Sequence, residues 1–329
     1  MERSSSSRPR TTQGRLVGLL LEAGTSAGEV TRFLSTAQDA LYVQAACDGE
    51  AALGPPPCPY ALLVLGSGAR RETTLRTDQD HALVLADDLP PGAGDWFSAL
   101  AERLAITLER GGLPRCAGDV MATNPAWRAP LRTWQERFAR WIERPEEEAL
   151  LQAAIFFDFR QVHGDLDVEE RLRRVIHRAA GSRKFLGRLA AAALRRRPPL
   201  AFPGHLRGEH RGRFDLKACG IAPIVDLARL FALEAGSHAT ATVARLAAAA
   251  EHGTAGEATA ADLAAAFEYL QQVRLGHQVS RLAAEAAPDD VVALAELTML
   301  QRRWIRDALH LVHTCQESVR IAYRVDLIA

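Results

Sequence analysis

Two aspartates one residue apart, Asp78 and Asp80, follow a loop rich in arginine and threonine and lead into an apolar run from His81 to Ala86. Residues i and i+2 of an extended chain share a face, so this spacing sets two carboxylates side by side at the mouth of a strand. Such a pair suits Mg²⁺, which takes one or two protein carboxylates and completes its octahedron with water and substrate phosphates. An earlier apolar run, Tyr60 to Leu65, stops at Gly66-Ser67. A glycine there lets backbone approach a ligand closely, and a hydroxyl with nearby amides can hold terminal phosphate oxygens. Arg70, Arg71 and Arg76 lie between the two features and offer positive charge for a triphosphate. The turn lacks the Gly-Lys-Ser/Thr that opens a helix, which excludes a P-loop.

Positioning these residues takes a small sheet. The runs at 60–65 and 81–86 predict buried strands and residues 96–110 a helix. A third strand is expected around Cys116 to Ala122, carrying Asp119. Upstream, apolar periodicity predicts two helices over 14–51, and Gly-Pro-Pro-Pro-Cys-Pro at 54–59 cannot continue them. From Trp127 onward the period is helical almost throughout, Phe156 to Val162 included, with an interruption at the Pro, Gly, His and Arg-rich loop 198–213. Three further helices are expected near 239–252, 260–286 and 289–325. The fold class is therefore α+β: a disordered tail over 1–13, a helical lead with a small mixed-sheet domain over 14–165, and an all-α bundle over 166–329. Trp127, Trp134 and Trp141 recur every seven residues, which puts them on one helix face packed between the two domains.

Composition narrows the partners. The 329 residues hold forty basic and forty acidic side chains, so no global field favours nucleic acid or an anionic membrane. The basic cluster of Arg195, Arg196, Arg197, Arg207, Arg211 and Arg213 has no interleaved aromatics and reads as a solvated loop. Five scattered cysteines without a Cys-x-x-Cys pair argue against a disulfide framework or zinc ribbon and fit a reducing cytoplasm. His310 and His313 with Cys315 nearby lack a clear third zinc ligand. The apolar stretch Leu16 to Leu21 is too short to span a bilayer.

Gly-Ser, a spacer and Asp-x-Asp together resemble the nucleotidyltransferase superfamily that includes DNA polymerase beta. More narrowly, GSGARRETTLRTDQDHAL resembles the loop of the bacterial DUF294 family, roughly GSxGRxExTLxTDQDNAL, relatives of the uridylyltransferase that modifies the PII signalling protein. CAGDVMATNPAW, FFDFRQVHGD and LKACGIAPIVDLARLFAL resemble further blocks of that family and its helical partner domain. Ala69 stands where a glycine is usual, and His81 where an asparagine is usual.

The resemblance implies Mg²⁺-dependent transfer of a nucleoside monophosphate from an NTP to an acceptor hydroxyl, with a protein as the expected acceptor in a signalling role. It implies Asp78 and Asp80 as catalytic metal ligands, and Gly66, Ser67, Arg70, Glu72 and Thr77 as nucleotide contacts, with Gln79 in the same motif. Asp119 is the expected third catalytic carboxylate; Asp158 is the alternative, its helical surroundings favouring a pair with Arg160. Lys217, beside Asp215, either reaches across to the nucleotide or is an ordinary charge of the helical domain. Asp226 and Arg229 read as an i,i+3 ion pair. Two other readings stand beside transfer to a protein: a nucleotide-sensing module without catalysis, expected if no third carboxylate reaches the metal, and a small-molecule nucleotidyltransferase. Either is compatible with a homo-oligomer, and fold resemblance supplies no substrate.

Overall fold

The computed structural model describes residues 7–201, 205–206 and 212–328. Two helices open the chain, α1 (Ser7–Glu22) and α2 (Ala27–Leu53). Ser26 starts α2 with a capping box: its hydroxyl accepts from the Glu29 N–H, and the Glu29 carboxylate accepts from the Ser26 N–H at 3.0 Å. Because α1 begins at Ser7, the expected tail is helical from that point, and residues 1–6 lie outside the described residues. What holds α1 is tertiary: Val17 packs with Val30, Leu34, Leu75 and Leu275, a long-range partner that local propensity cannot reveal.

After the proline-rich break come β1 (Tyr60–Leu65), the single turn α3 (Gly66–Ala69), β2 (His81–Leu85) and α4 (Ala93–Arg110). Next follow β3 (Arg128–Pro130), α5 (Leu131–Glu143), α6 (Glu147–Phe156) and β4 (Phe159–His163). The sheet order is β3-β2-β1-β4, antiparallel except for the parallel β2–β3 pair. Side-chain alternation divides β1 between two cores. Tyr60, Leu62 and Val64 meet Tyr42 of α2 and Phe97, Leu100 and Leu104 of α4. Ala61, Leu63 and Leu65 join a second core with Trp134, Phe138, Phe156 and Phe159. Burial on both faces explains why these strands read as continuous apolar runs.

Three expectations fail in this half. The segment from Cys116 to Ala122 is a series of turns, and the third strand lies later, at Arg128–Pro130. Phe159 to His163 is an edge strand, although the apolar stretch before it reads as uninterrupted helix; α6 stops at Phe156 and extended pairing with β1 takes over. Trp127 likewise sits before β3, off the helix that carries Trp134 and Trp141, yet its ring stacks on Trp134 at 6.2 Å.

The second half is mostly helical: α7 (Glu169–His177), α8 (Arg183–Ala193), α9 (Ala222–Glu234), α10 (Thr242–Glu251), α11 (Glu257–Ala283) and α12 (Met299–Ala322). A ribbon of β5 (Leu200–Ala201) and β6 (His205–Leu206) precedes β7 (Arg213–Asp215), which pairs with β8 (Val291–Ala293). The strand β8 falls where the sequence pattern predicts the start of the last helix. Arg196 pairs with Asp226 at 2.8 Å, and Arg195 with Glu147, whereas Arg207 and Arg211 lie outside the described residues. Among the described residues no helix is long and apolar enough to cross a membrane. The second core runs without a break from the sheet through α5–α9 to α12, so the small mixed sheet and the helical region share one apolar interior.

Candidate active site

The site forms at the C-terminal end of β1. Gly66 turns the chain with φ +54°, in the left-handed region that favours glycine, and a Cβ built on it would lie 3.5 Å from the Asp80 carboxylate. Flanking backbone ties both neighbours to this point: Leu65 N–H donates to the Asp80 carbonyl at 3.0 Å, and Gly66 N–H to the Asp158 carbonyl at 2.9 Å. Ser67 is half-buried in α3, and its carbonyl accepts from the Glu72 N–H at 2.9 Å.

The threonines of the loop have structural work. Thr73 Oγ1 donates to Gln38 of α2 at 2.8 Å, while the Leu75 N–H donates to Gln278 of α11 at 3.1 Å. Arg76 and Arg274 both pair with Asp290, at 3.1 and 2.7 Å, and the Gln278 amide donates to the same carboxylate at 2.8 Å. Burial raises the Asp290 pKa, but Arg274, Gln278 and the Lys217 charge outweigh it and hold the carboxyl below the ordinary range. The loop is thus clamped between the first helices and the helical region.

Gln79 fixes the two aspartates. Its side chain is fully buried and donates to the Ala105 and Leu113 carbonyls at 3.0 and 2.8 Å. With Gln79 turned inward, extended alternation turns Asp78 and Asp80 to the other face. Asp80 and Asp78 bring their carboxylate oxygens, together with the Cys116 sulfur, within 4.8 Å of one another. Among the described residues neither aspartate has a cationic side chain at ion-pair distance. Burial, reinforced by the Asp78 charge, pushes Asp80 up to about 6; the neighbouring Cys116 thiol and then the more distant charges of Lys217 and Arg70 oppose that rise. Lys217 opens a π-helical turn over Lys217–Ile221, and desolvation together with Arg274 lowers its pKa although Asp290, Asp78 and Asp80 pull the other way. Two half-buried like charges side by side, with no cation at ion-pair distance among the described residues, are the kind of site a divalent cation satisfies, and the donor oxygens fit Mg²⁺.

Residues 11–148 match the family described as "Putative nucleotidyltransferase DUF294", and residues 183–323 match "Putative nucleotidyltransferase substrate binding domain". The chain belongs to the DUF294 family. No curated protein matches it. In this DUF294 chain the motif residues divide into two groups. Gly66, Ser67, Asp78 and Asp80 gather at the end of β1, with Thr77 half-buried beside them and Lys217 facing them from the helical region.

Arg70 and Glu72 do otherwise. Arg70 Nε bonds Glu72 at 2.6 Å and its Nη1 bonds Asp158 at 2.7 Å, while the other Glu72 oxygen accepts from the Thr242 N–H at the start of α10. Both side chains are engaged in a clasp that ties the loop to Asp158 and to the start of α10. Arg71, paired with Asp39 at 3.6 Å, and Arg76 are likewise engaged. Asp119, expected as the third carboxylate, is exposed in a turn at φ +55°, where its carboxylate accepts from Asn124 at 2.8 Å. Lacking the expected strand, that segment presents Cys116 to the aspartates.

Asp158 is fully buried between Arg70, Arg229 and Arg245, and pairs with Arg229 at 2.7 Å. Burial raises its pKa, but the three guanidiniums, Arg229 foremost, overcome it and hold the carboxyl well below the usual range. Arg160, the partner expected for it, pairs with Asp39 at 2.8 Å. The Asp226–Arg229 pair is present at 2.9 Å, as one arm of this network. His81 faces away from Asp80 as an internal histidine: burial, with Arg115, lowers it to about 3, so it is neutral. Cys116 and the arginine partners of Asp158 are what sequence reasoning missed. Neither carries a spacing motif, and Arg245 lies 87 residues from Asp158.

Proposed function

We propose that the protein transfers a nucleoside monophosphate from an NTP to an acceptor hydroxyl, with Asp78 and Asp80 holding the divalent cation, expected to be Mg²⁺, that the triphosphate requires. The observation that carries this reading is the half-buried carboxylate pair at the end of β1, which among the described residues has no cationic side chain at ion-pair distance and feels the Lys217 charge only from farther off. When bound, the cation neutralises phosphate charge and favours attack at phosphorus. Gly66 allows phosphate oxygens close to backbone, and the Ser67 hydroxyl donates to them. Lys217, whose charge acts on both aspartates from the helical region, supplies the remaining positive charge. The acceptor oxygen forms a bond to the α-phosphorus, the bond to the β-phosphate oxygen breaks, pyrophosphate departs, and the hydroxyl gives up its proton. A protein acceptor, in a regulatory role, is the reading taken from relatives of the PII-modifying enzyme.

The placement of Asp119 favours one second reading. With no third carboxylate in the group that Asp78 and Asp80 form among the described residues, the site also suits a module that binds a nucleotide and signals through its helical region without transferring anything. Incubation with each α-labelled NTP, a divalent cation and cell lysate separates the two. Label reaching a lysate component with wild type, and not with Asp78→Asn/Asp80→Asn, supports transfer and names base and acceptor class. Nucleotide binding with no labelled product and no pyrophosphate overturns it in favour of sensing.

A further inference from the structure

Cys116 is held against the aspartate pair from both ends of its segment. Gln79 N–H donates to the Pro114 carbonyl at 3.0 Å, and Gln79 forms a bridge with Arg115. On the other side, the Asp119 N–H closes a turn onto the Cys116 carbonyl at 3.1 Å, the Cys116 N–H donates to Met121 Sδ at 3.4 Å, and His81 N–H donates to the Val120 carbonyl at 3.1 Å. The thiol is half-buried, and its sulfur lies within 4.8 Å of oxygens of both carboxylates. A fixed donor beside two carboxylates is a preorganised ligand set.

From this geometry we infer that Cys116 Sγ is the third protein ligand of the divalent ion at Asp78 and Asp80. The inference rests on the metal assignment proposed above and changes the choice of ion. Mg²⁺ demands oxygen donors and leaves the thiol uncoordinated, whereas borderline ions such as Co²⁺ and Zn²⁺ accept sulfur beside oxygen. On coordination the S–H bond breaks, the sulfur–metal bond forms, and the proton leaves to solvent. The site therefore takes Zn²⁺ or Co²⁺ in preference to Mg²⁺.

The test is titration of the full-length chain with Co²⁺, read by the near-ultraviolet thiolate-to-cobalt charge-transfer absorption and by calorimetry. It is run in a Cys47→Ser background, because Cys47 lies with Glu50 and His163 in a second group of candidate ligands and would give an absorption of its own. The band is expected to rise with Co²⁺, to be displaced by Zn²⁺ and to persist in excess Mg²⁺. Adding Cys116→Ser is expected to abolish the band while Co²⁺ still binds about tenfold or more weakly, since even outer-shell partners are worth 10–100-fold. Adding Asp78→Asn/Asp80→Asn is expected to remove binding altogether. Co²⁺ binding without the band, or a band that survives Cys116→Ser, overturns the cysteine assignment and leaves the metal assignment standing. No Co²⁺ binding to the folded chain overturns both.

Discussion

Two carboxylates bracket the end of β1, Asp158 fully buried and Asp80 half-buried, and they live under opposite conditions. Asp158 on one side faces three guanidiniums from Arg70, Arg229 and Arg245, and is held well below the ordinary carboxylate range despite its burial. Asp80 on the other side faces Asp78 and a neutral thiol, and burial lifts it to about 6. Each carbonyl accepts a hydrogen bond from the same two-residue stretch, Leu65 and Gly66. The difference teaches what each side is for. Where protein cations saturate the charge, the carboxylate joins α9 and α10 to the sheet; where they are withheld, the charge is left for something that arrives from outside.

The largest expected effect comes from breaking the saturated side. Asp158→Asn leaves three guanidiniums, two of them buried, without their counter-charge, and is expected to destabilise the fold by about 3–5 kcal/mol, read as a fall in denaturation midpoint. An unchanged midpoint would remove the clasp from the account.

Asp80→Asn should act in the opposite direction. A shift from 3.8 to about 6 corresponds to about 3 kcal/mol, so the cation-free variant is expected to be more stable than wild type at neutral pH by up to that amount. It should also lose all stabilisation by added divalent ions. The same contrast has a pH signature. A raised folded-state pKa gives a contribution that is complete below the unfolded value and is lost as pH rises through the folded one, so cation-free wild type should weaken between about pH 4 and about pH 7. Added cation should restore stability at about pH 7 and have little effect at about pH 4. For Asp158 the sign reverses: its stabilisation holds above the ordinary carboxylate value and is lost only under stronger acid. Thermal melts across pH, with and without the ion, check both.

Smaller effects sharpen the unsaturated side. Lys217→Ala should weaken nucleotide binding roughly 10- to 100-fold, as expected for a bond to a charged group, with little change in melting temperature. Asp119→Asn, at an exposed turn, should leave nucleotide binding and any transfer within about twofold of wild type; a large loss would return Asp119 to the reacting centre.

Much of this was legible in the chain and some was not, for identifiable reasons. The strands β1 and β2 are legible because burial on both faces leaves unbroken apolar runs, and Asp78 and Asp80 because local spacing alone decides that they share a face. The arginine and threonine loop looks from sequence like a phosphate cradle. In the fold most of its side chains are tethered, Arg70 to Asp158, Thr73 to Gln38 and Arg76 to Asp290. Those partners come from far along the chain, and no local pattern encodes them. The edge strand β4 was hidden because five residues are too few to establish a period of two beside an apolar helix. The position of Cys116 depends on turns between Pro114 and Asn124 that replace the expected strand.

The small core that joins Val17, Val30 and Leu34 to Leu275 ties α1 and α2 to a residue synthesised much later than they are. A chain emerging N-terminus first can form α1 and α2 early, but their shared apolar face has no final partner until α11 has left the ribosome. Through Leu75 and its bond to Gln278, the arginine and threonine loop waits on the same event. Such long sequence separation makes folding slow and leaves apolar surface open in the interval. Nascent chains stopped before α11 are accordingly expected to expose the first helices to chaperones, and chains released after it to hide them.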